Sequence, residues 1–420
     1  MKVLLLNQCF WPDVVATAQQ LTDLAAGLAE RGHEVTVIAG DRGYDDPELR
    51  FPKQELWNGI TIKRIGAISA GKQTRWRRAL NFGSFLVTCT VRLALMPRQN
   101  VVIALTSPPL ISWLGSIFTR LKGGRLIFWV MDLNPDEAIA AGWLKPNSFT
   151  SKVLSTLLNR SMRHSDKIIA LDRLAKQRIV AKGIAEDKIE IISPWSHDDS
   201  VHFDQRGREA FRAAHGWSKK YVVMYAGNHS PCHPLDTLLE AALKLKGREE
   251  IIFCFVGGGS EQSKVREFSH TNTLKNILCL PYQPLPELSA VLSAADLHVV
   301  VMGEAFTGIV HPSKIYNILA VASPFLYIGP ELSHITDIVA RLDDRKLAKI
   351  ARHGDVELVR KHVGECADAN RQASSRRPLP LAKQFSKDVV LPKLLDVIEL
   401  GVAGSEVLSP AAPAPKVQSA

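Results

Sequence analysis

Met1-Lys-Val-Leu-Leu-Leu-Asn7, the stretch Ala18–Arg31 and Gly32-His-Glu-Val-Thr-Val-Ile-Ala39 together decide the fold. Val3–Leu6 is a short apolar run, Ala18–Arg31 carries apolar residues at helical spacing, and the third segment turns apolar again after a glycine. A strand, a helix and a second strand in this order signal parallel α/β construction.

Working outward, the alternation continues. Val101–Leu105, Leu126–Val130, Lys167–Leu171 and Ile189–Ile192 read as further strands, and Arg173–Lys182 reads as a helix ending at Gly183. After a polar connection around Ser193–Gly216 the pattern restarts. Tyr221–Tyr225, Ile251–Val256, Ile277–Leu280, Leu297–Val301 and Pro324–Ile328 read as strands, with Leu235–Leu245 a helix. The fold expected is therefore two doubly wound Rossmann-like α/β units. We place the first at residues 1–195 and the second at 196–380. A C-terminal helix at 381–400 is expected to pack back on the first unit, and the Ala/Pro/Ser-rich residues 401–420 to be a disordered tail. Ligands of such sheets bind beyond the carboxyl ends of the strands, which makes the cleft between the units the expected site.

The chain has 420 residues, long enough for two or three domains. It is 46% hydrophobic and 22% charged, which excludes a disordered, collagenous or polytopic membrane protein. Its six cysteines are scattered without a C-x-x-C pair, so neither a disulfide framework nor a structural zinc is expected. The first apolar run is too short for a signal peptide, and the expected location is cytoplasmic.

The formal charge is +10. No acid occurs between Glu55 and Asp132, whereas eleven Lys and Arg do, so the excess is local. It points to anionic partners. Within this stretch Arg75-Trp76-Arg77-Arg78 precedes the apolar run Asn81–Met96, which includes Phe82 and is broken by Arg92. A basic head, an interfacial Trp and a helix-length apolar run suit an element lying on an anionic bilayer without spanning it. A buried helix with a solvated basic end is the alternative. No nucleic-acid-binding module is visible, and no such partner is expected.

Six local motifs carry a resemblance. They are Leu4-Leu-Leu-Asn-Gln-Cys-Phe-Trp-Pro-Asp13 with Ala29–Ile38, Ala104-Leu-Thr-Ser-Pro-Pro109, and Trp129-Val-Met-Asp-Leu-Asn-Pro-Asp136. The others are Tyr225-Ala-Gly-Asn-His-Ser-Pro-Cys-His-Pro-Leu-Asp236, Val256-Gly-Gly-Gly259, and His311-Pro-Ser-Lys-Ile-Tyr-Asn-Ile-Leu-Ala320 with Ser323-Pro324 behind it. With these, residues 1–400 resemble the bacterial group 1 glycosyltransferases of GT-B type, nearest to those of colanic-acid, O-antigen and exopolysaccharide assembly.

The resemblance implies a retaining transfer from a nucleotide-diphosphate sugar, serving as co-substrate, without cofactor or metal. The acceptor implied is polyprenyl-diphosphate-linked, at the cytoplasmic face of the membrane. Breaking the anomeric bond leaves charge on a diphosphate, which cationic side chains and backbone amides must stabilise. Lys314, behind Ser313 at a helix start, is the expected phosphate contact. Gly227, Asn228, Gly257 and Gly258 follow strands and let backbone approach the donor. Tyr282 lies where the base is expected and Asn317 near the ribose. His233 stands where many relatives carry Lys and, if charged, contacts the diphosphate; an ordinary loop histidine is the alternative.

Asp132 ends a strand and is the expected group that orients or deprotonates the acceptor, with Asp13 a second candidate. A turn-capping Asp before Pro135 is the alternative for Asp132. Asp136 and Glu137 read as acids of a helix start. Two departures stand out. The family's pair of glutamates with seven residues between them is Ile309 and Asn317 here, and only Asn can bond a ribose hydroxyl. Two other readings therefore stay open, a degenerate GT-B protein that only binds nucleotide or membrane, and an epimerase of free nucleotide sugars.

Overall fold

The computed structural model describes residues 1–43, 48–66, 75–196, 201–369, 376 and 378–406, with backbone alone at 75, 76, 78, 79 and 401–406. Two sheets carry the chain. The first holds β1 (Lys2–Leu6), β2 (Glu34–Gly40), β3 (Gln54–Trp57), β4 (Ile60–Ile65), β5 (Val101–Ala104), β6 (Arg125–Trp129), β7 (Lys167–Ala170) and β8 (Ile189–Ile191). The second holds β9 (Tyr221–Ala226), β10 (Ile251–Val256), β11 (Ile277–Leu280), β12 (Leu297–Val301), β13 (Phe325–Ile328) and β14 (Ala348–Ala351).

The strand orders are β3-β4-β2-β1-β5-β6-β7-β8 and β11-β10-β9-β12-β13-β14. Every pairing is parallel except β3 with β4. Helices cover both faces, so central strands such as β5, β10 and β12 are buried along their whole length. That burial is why they read as unbroken apolar runs instead of alternating ones.

Four elements differ from the sequence expectation. β3 and β4 form a hairpin at the sheet edge through Asn58-Gly59, both at positive φ, as a two-residue hairpin turn demands. Its strands alternate polar and apolar residues, and an apolar-run criterion passes over them. β14 likewise closes the far edge of the second sheet with Lys349 at its centre. Lastly, the C-terminal helix spans Lys387–Glu406 and so runs beyond 400. Gly401 does not stop it, because one helical glycine costs only about 1 kcal/mol against alanine. Residues 407–420, the rest of the expected tail, lie outside the described residues.

This last helix lies on the Ala16–Glu30 helix of the first unit. Leu391, Leu394, Leu395 and Ile398 join the same core as Leu21, Leu24 and Leu28. Contact is close at Gly27, where a Cβ would sit 3.1 Å from Leu395 Cδ1. Arg31 holds Asp396 and Glu399 at 2.8 and 2.7 Å along the rim.

The second unit has a buried ionic anchor of its own. Asp296, just before β12, pairs with Arg208 and Arg212 and accepts the Val222 N–H at 2.8 Å. Such groups are stable only as a set, because removing one leaves a buried charge unmatched.

Candidate functional site

Both sheets change winding direction at a crevice, between β1 and β5 in the first and between β9 and β12 in the second. Loops beyond the carboxyl ends of these strands and their neighbours face the seam between the units. Doubly wound sheets place ligands there.

In the first unit the three loops after β1, β5 and β6 are tied together. The Gln8 N–H donates to the Ser107 carbonyl at 2.6 Å, Ser107 N–H to Asn7 Oδ1 at 3.3 Å, and Asp132 N–H to Thr106 Oγ1 at 3.4 Å. Arg64 braces the first loop from behind. It is buried, pairs with Glu55, and donates to the Trp11 carbonyl at 2.7 Å.

Asp132 therefore sits at the end of β6 on a fixed backbone. Burial, followed by the neighbouring Glu137 carboxylate, pushes its carboxyl up to about 8. Glu137 is itself raised, chiefly by burial. It accepts from Asn134 Nδ2 at 2.8 Å and from Cys232 Sγ of the second unit at 3.7 Å. So Glu137 does more than begin the Asp136–Ala140 helix; its neighbour Asp136 is engaged by Lys182 at 2.7 Å. Asp13 accepts from the Val14 N–H at 3.1 Å in the loop after β1.

In the second unit the turn after β9 and the loop after β10 interlock. Gly227 N–H donates to Val256 O, Gly257 N–H to Leu280 O, and His229 N–H to Gly258 O, at 2.9, 3.0 and 2.7 Å. Gly257 has φ 129°, and a Cβ on it would lie 2.2 Å from the Gly227 carbonyl oxygen. Only glycine fits. The Tyr282 ring lies against Gly258. Asn228 is exposed, and its carbonyl accepts the Tyr225 hydroxyl at 2.8 Å.

Lys314 begins the Lys314–Ala320 helix, directly after Ser313, and Asn317 follows one turn on. Its Nζ is buried, has no hydrogen-bond partner, and stands 3.4 Å from the Tyr225 ring centroid. Burial drives its pKa far below the ordinary lysine value. A Cβ on Gly227 would be 3.3 Å from this nitrogen, so the glycine turn and the lysine border one space. An ammonium left without an anion in such surroundings is costly unless something negative binds beside it.

His233 does not stand there as a cation. Burial, with Lys314 nearby, lowers it to about 3, so the ring is neutral at physiological pH. The condition for its contact with a diphosphate, a charged ring, is therefore not met in the empty site. His229, which the sequence reading passed over, is buried beside it and lowered to about 4 by burial and Lys314.

The seam between the units is packed. Phe128, Val130 and Leu133 meet Cys232, Phe306, Ile309 and Val310 in one apolar cluster. Ile309, where the family carries an acid, is buried in it, and its carbonyl accepts the Leu133 N–H at 3.0 Å. An acid at this position would enter an apolar seam.

Alongside lies a polar clasp. Asp172 caps the Arg173–Ala181 helix and pairs with His311 at 2.8 Å, and His311 Nε2 meets the Tyr316 hydroxyl at 2.7 Å. His334 stacks on His311 at 3.6 Å with 18° between ring planes. Asp172, His311 and His334 could be taken for a metal site. Stacked rings, however, aim their in-plane lone pairs side by side, and His311 has both nitrogens engaged. Arg173 adds a two-pronged pair with Asp337, at 2.7 and 2.9 Å.

The Arg75–Ala94 helix is apolar on two faces. Phe85, Cys89 and Leu93 are buried against the first sheet. Val87 and Val91 on the other face are 65% and 60% exposed, as are Leu95 just past the helix at 78% and Leu121 on the Ile111–Lys122 helix at 79%. Phe82 and Arg77 are half-buried, and the side chains of Arg75, Trp76 and Arg78 lie outside the described residues. Two of the eleven basic residues turn out structural. Arg64 is buried, and Lys122 Nζ caps the end of the Arg75–Ala94 helix, donating to the Ala94 carbonyl at 2.7 Å. Among the described residues no helix is long and apolar enough to cross a membrane.

Two parallel-sheet domains facing each other across such a seam define the GT-B class of glycosyltransferases. Residues 16–195 match the glycosyl transferase 4-like domain, and 207–311 match glycosyl transferases group 1. The chain belongs to the group 1 glycosyltransferases. It is 26% identical over 336 residues to the putative colanic acid biosynthesis glycosyl transferase WcaI of Escherichia coli, covering 76% of this chain and 81% of that one. It is 25% identical to the probable glycosyltransferase WbjE of Pseudomonas aeruginosa, over 57% of this chain and 60% of that protein. The fold is that of Anabaena HepE solved with UDP and glucose, with TM-score 0.71, 14% identity, and 95% and 99% of the two chains covered.

Proposed function

We propose that this enzyme moves a sugar from a nucleotide diphosphate to a polyprenyl-diphosphate-linked acceptor during bacterial polysaccharide assembly. Transfer retains the anomeric configuration and uses no metal. The observation that carries this reading is the buried Lys314 amine, unpartnered beside the Gly227 turn. It suits a donor diphosphate, with Gly257 and Gly258 admitting the donor's backbone contacts, Tyr282 by the base and Asn317 by the ribose. Names of relatives in colanic-acid synthesis and a neighbour solved with UDP favour the same substrates.

In the reaction the anomeric C–O bond to the diphosphate breaks and the acceptor oxygen bonds on the same face. Lys314 offsets the charge left on the leaving group. Asp132 orients the acceptor hydroxyl and takes its proton, with Asp13 on the same rim of the first unit. The enzyme works at the cytoplasmic face of the membrane. Val87, Val91 and Leu95 enter the interface, and Arg75, Trp76, Arg77, Arg78 and Phe82 meet anionic headgroups and the acceptor.

The test is thermal stabilisation by UDP, GDP and ADP, followed by transfer from the matching sugar nucleotides to a polyprenyl-diphosphate-linked acceptor. A nucleotide at about a hundred times its Kd adds ~2.7 kcal/mol. Stabilisation by one of the three and transfer without added metal are expected. Stabilisation by none removes the donor assignment.

A further inference from the structure

Three buried polar atoms around the Gly227 turn lack partners: Lys314 Nζ, His229 Nε2 and His233 Nδ1. Their chemistry differs in a way the geometry fixes. Two carbonyls, of Gly258 and Gly227, face the His229 ring; the one in hydrogen-bond geometry is Gly258, 3.3 Å from Nδ1, and since it can only accept, the ring's proton is on Nδ1. A neutral imidazole has one such proton, and the buried Nε2 therefore carries a bare lone pair, within electrostatic reach of Lys314. For His233 the Val301 and Cys232 carbonyls face the ring in the same way and Nδ1 is the unpartnered atom. A lone pair repels a phosphate oxygen. The cradle thus suits an anion at Lys314 and opposes it at the imidazoles, unless a proton arrives with the anion.

We propose that binding of a nucleoside diphosphate carries a proton onto His229, turning the ring into a second cation beside Lys314. This rests on the donor reading given above. The groups that face the two rings are few. Burial, and after it Lys314, holds them neutral while the site is empty, and burial keeps Tyr225 a protonated phenol. The Cys232 thiol is raised by burial, and beyond it stand the raised carboxyls Glu137 and Asp132. Glu261, whose N–H reaches the His229 carbonyl, has its own side chain paired with Lys264. No fixed anion therefore competes for the incoming proton. The diphosphate supplies the missing negative charge. Loss of the lysine that many relatives carry at His233 is compensated by a base that becomes a cation only when the ligand is present.

The test is calorimetric titration of the full chain with UDP, GDP and ADP at pH 8, in HEPES and in Tris, whose ionisation enthalpies differ. The terminal phosphate is then fully ionised before binding, its pKa being about 6. Uptake of one or more protons is expected, with affinity falling about tenfold per pH unit from 7 to 8.5 for each proton taken up. His229→Gln keeps an N–H donor that cannot titrate; it should still bind, with uptake lower by one proton. Should that variant not fold, the imidazole ¹⁵N shifts of His229 in labelled wild-type protein serve instead, moving to imidazolium values with nucleotide. Binding with no proton uptake, with the same uptake in His229→Gln, or with neutral-ring shifts at His229 overturns the coupling alone. No binding of any of the three nucleotides overturns the donor reading, and the coupling with it.

Discussion

The loop after β6 and the turn after β9 face one seam from two parallel sheets, yet they perturb protons in opposite senses. Burial keeps a proton on Asp132, raising it to about 8, and strips protons from His229 and His233, lowering them to about 4 and 3. One physical cause, exclusion of water, makes an acid weaker and a base weaker at once. The fold supplies loops that face one seam and leaves the chemistry to the residues at their tips. It also means that the empty seam disfavours net charge on either side, and substrates bring the charge in.

The largest effect should come from the second unit. Lys314→Met removes the buried cation, and turnover should fall about 10³-fold, at the upper end of losing one charge-stabilising donor. Because the amine is unpartnered, the same change should raise Tm by roughly 2–4 °C per kcal/mol of relieved burial cost. Lower Tm together with unchanged turnover would break the comparison.

On the first unit, Asp132→Asn should lower turnover about 10²-fold while nucleotide stabilisation stays. In the wild type the folded carboxyl titrates above its unfolded value of about 3.9, so the folded chain holds more protons between about pH 4 and 8. Stability contributed by this group is therefore lost as pH rises through that window. Unfolding of the Asn variant should show a gain in stability at pH 8 that disappears near pH 4. Turnover of the wild type should climb from pH 6 to 8 as Asp132 ionises, and a flat profile would take it out of the proton transfer.

Gly257→Ala sharpens the contrast in backbone. The added methyl meets the Gly227 carbonyl at a φ that disfavours side chains, costing on the order of 1–3 kcal/mol in stability. Nucleotide affinity should fall about tenfold with it. The smallest effect is expected on the outer face, where Val91→Ser with Leu95→Ser should weaken flotation with anionic vesicles about tenfold. Transfer to a detergent-solubilised acceptor should not change.

The sequence made the interior strands legible because both of their faces are buried, and Val101–Leu105 or Ile251–Val256 need only be apolar to show it. The edge elements β3, β4 and β14 were not, since they are half-solvated and short, although Asn58-Gly59 announced the hairpin turn. Lys314 could be singled out by its motif, and Asp132 by its place at a strand end. His229 could not, because its meaning depends on the carbonyl that fixes its tautomer, 29 residues away. Asp172 and His311 stand 139 residues apart and belong to different units, so no local pattern relates them. Glu137 read as a helix acid until its contact across the seam to Cys232 became visible.

The helix that ends at Glu406 has a consequence for the order of events in synthesis. The first sheet is complete by Ile191, but the core beneath the Ala16–Glu30 helix also contains Leu391, Leu394, Leu395 and Ile398. A ribosome must read about 200 further codons, and the whole second unit, before those side chains emerge. Until then the nascent first unit exposes an apolar groove at Gly27 that only the end of its own chain fills. Shielding of that groove, by a chaperone or by speed, sets how much of the newly made chain reaches the native state.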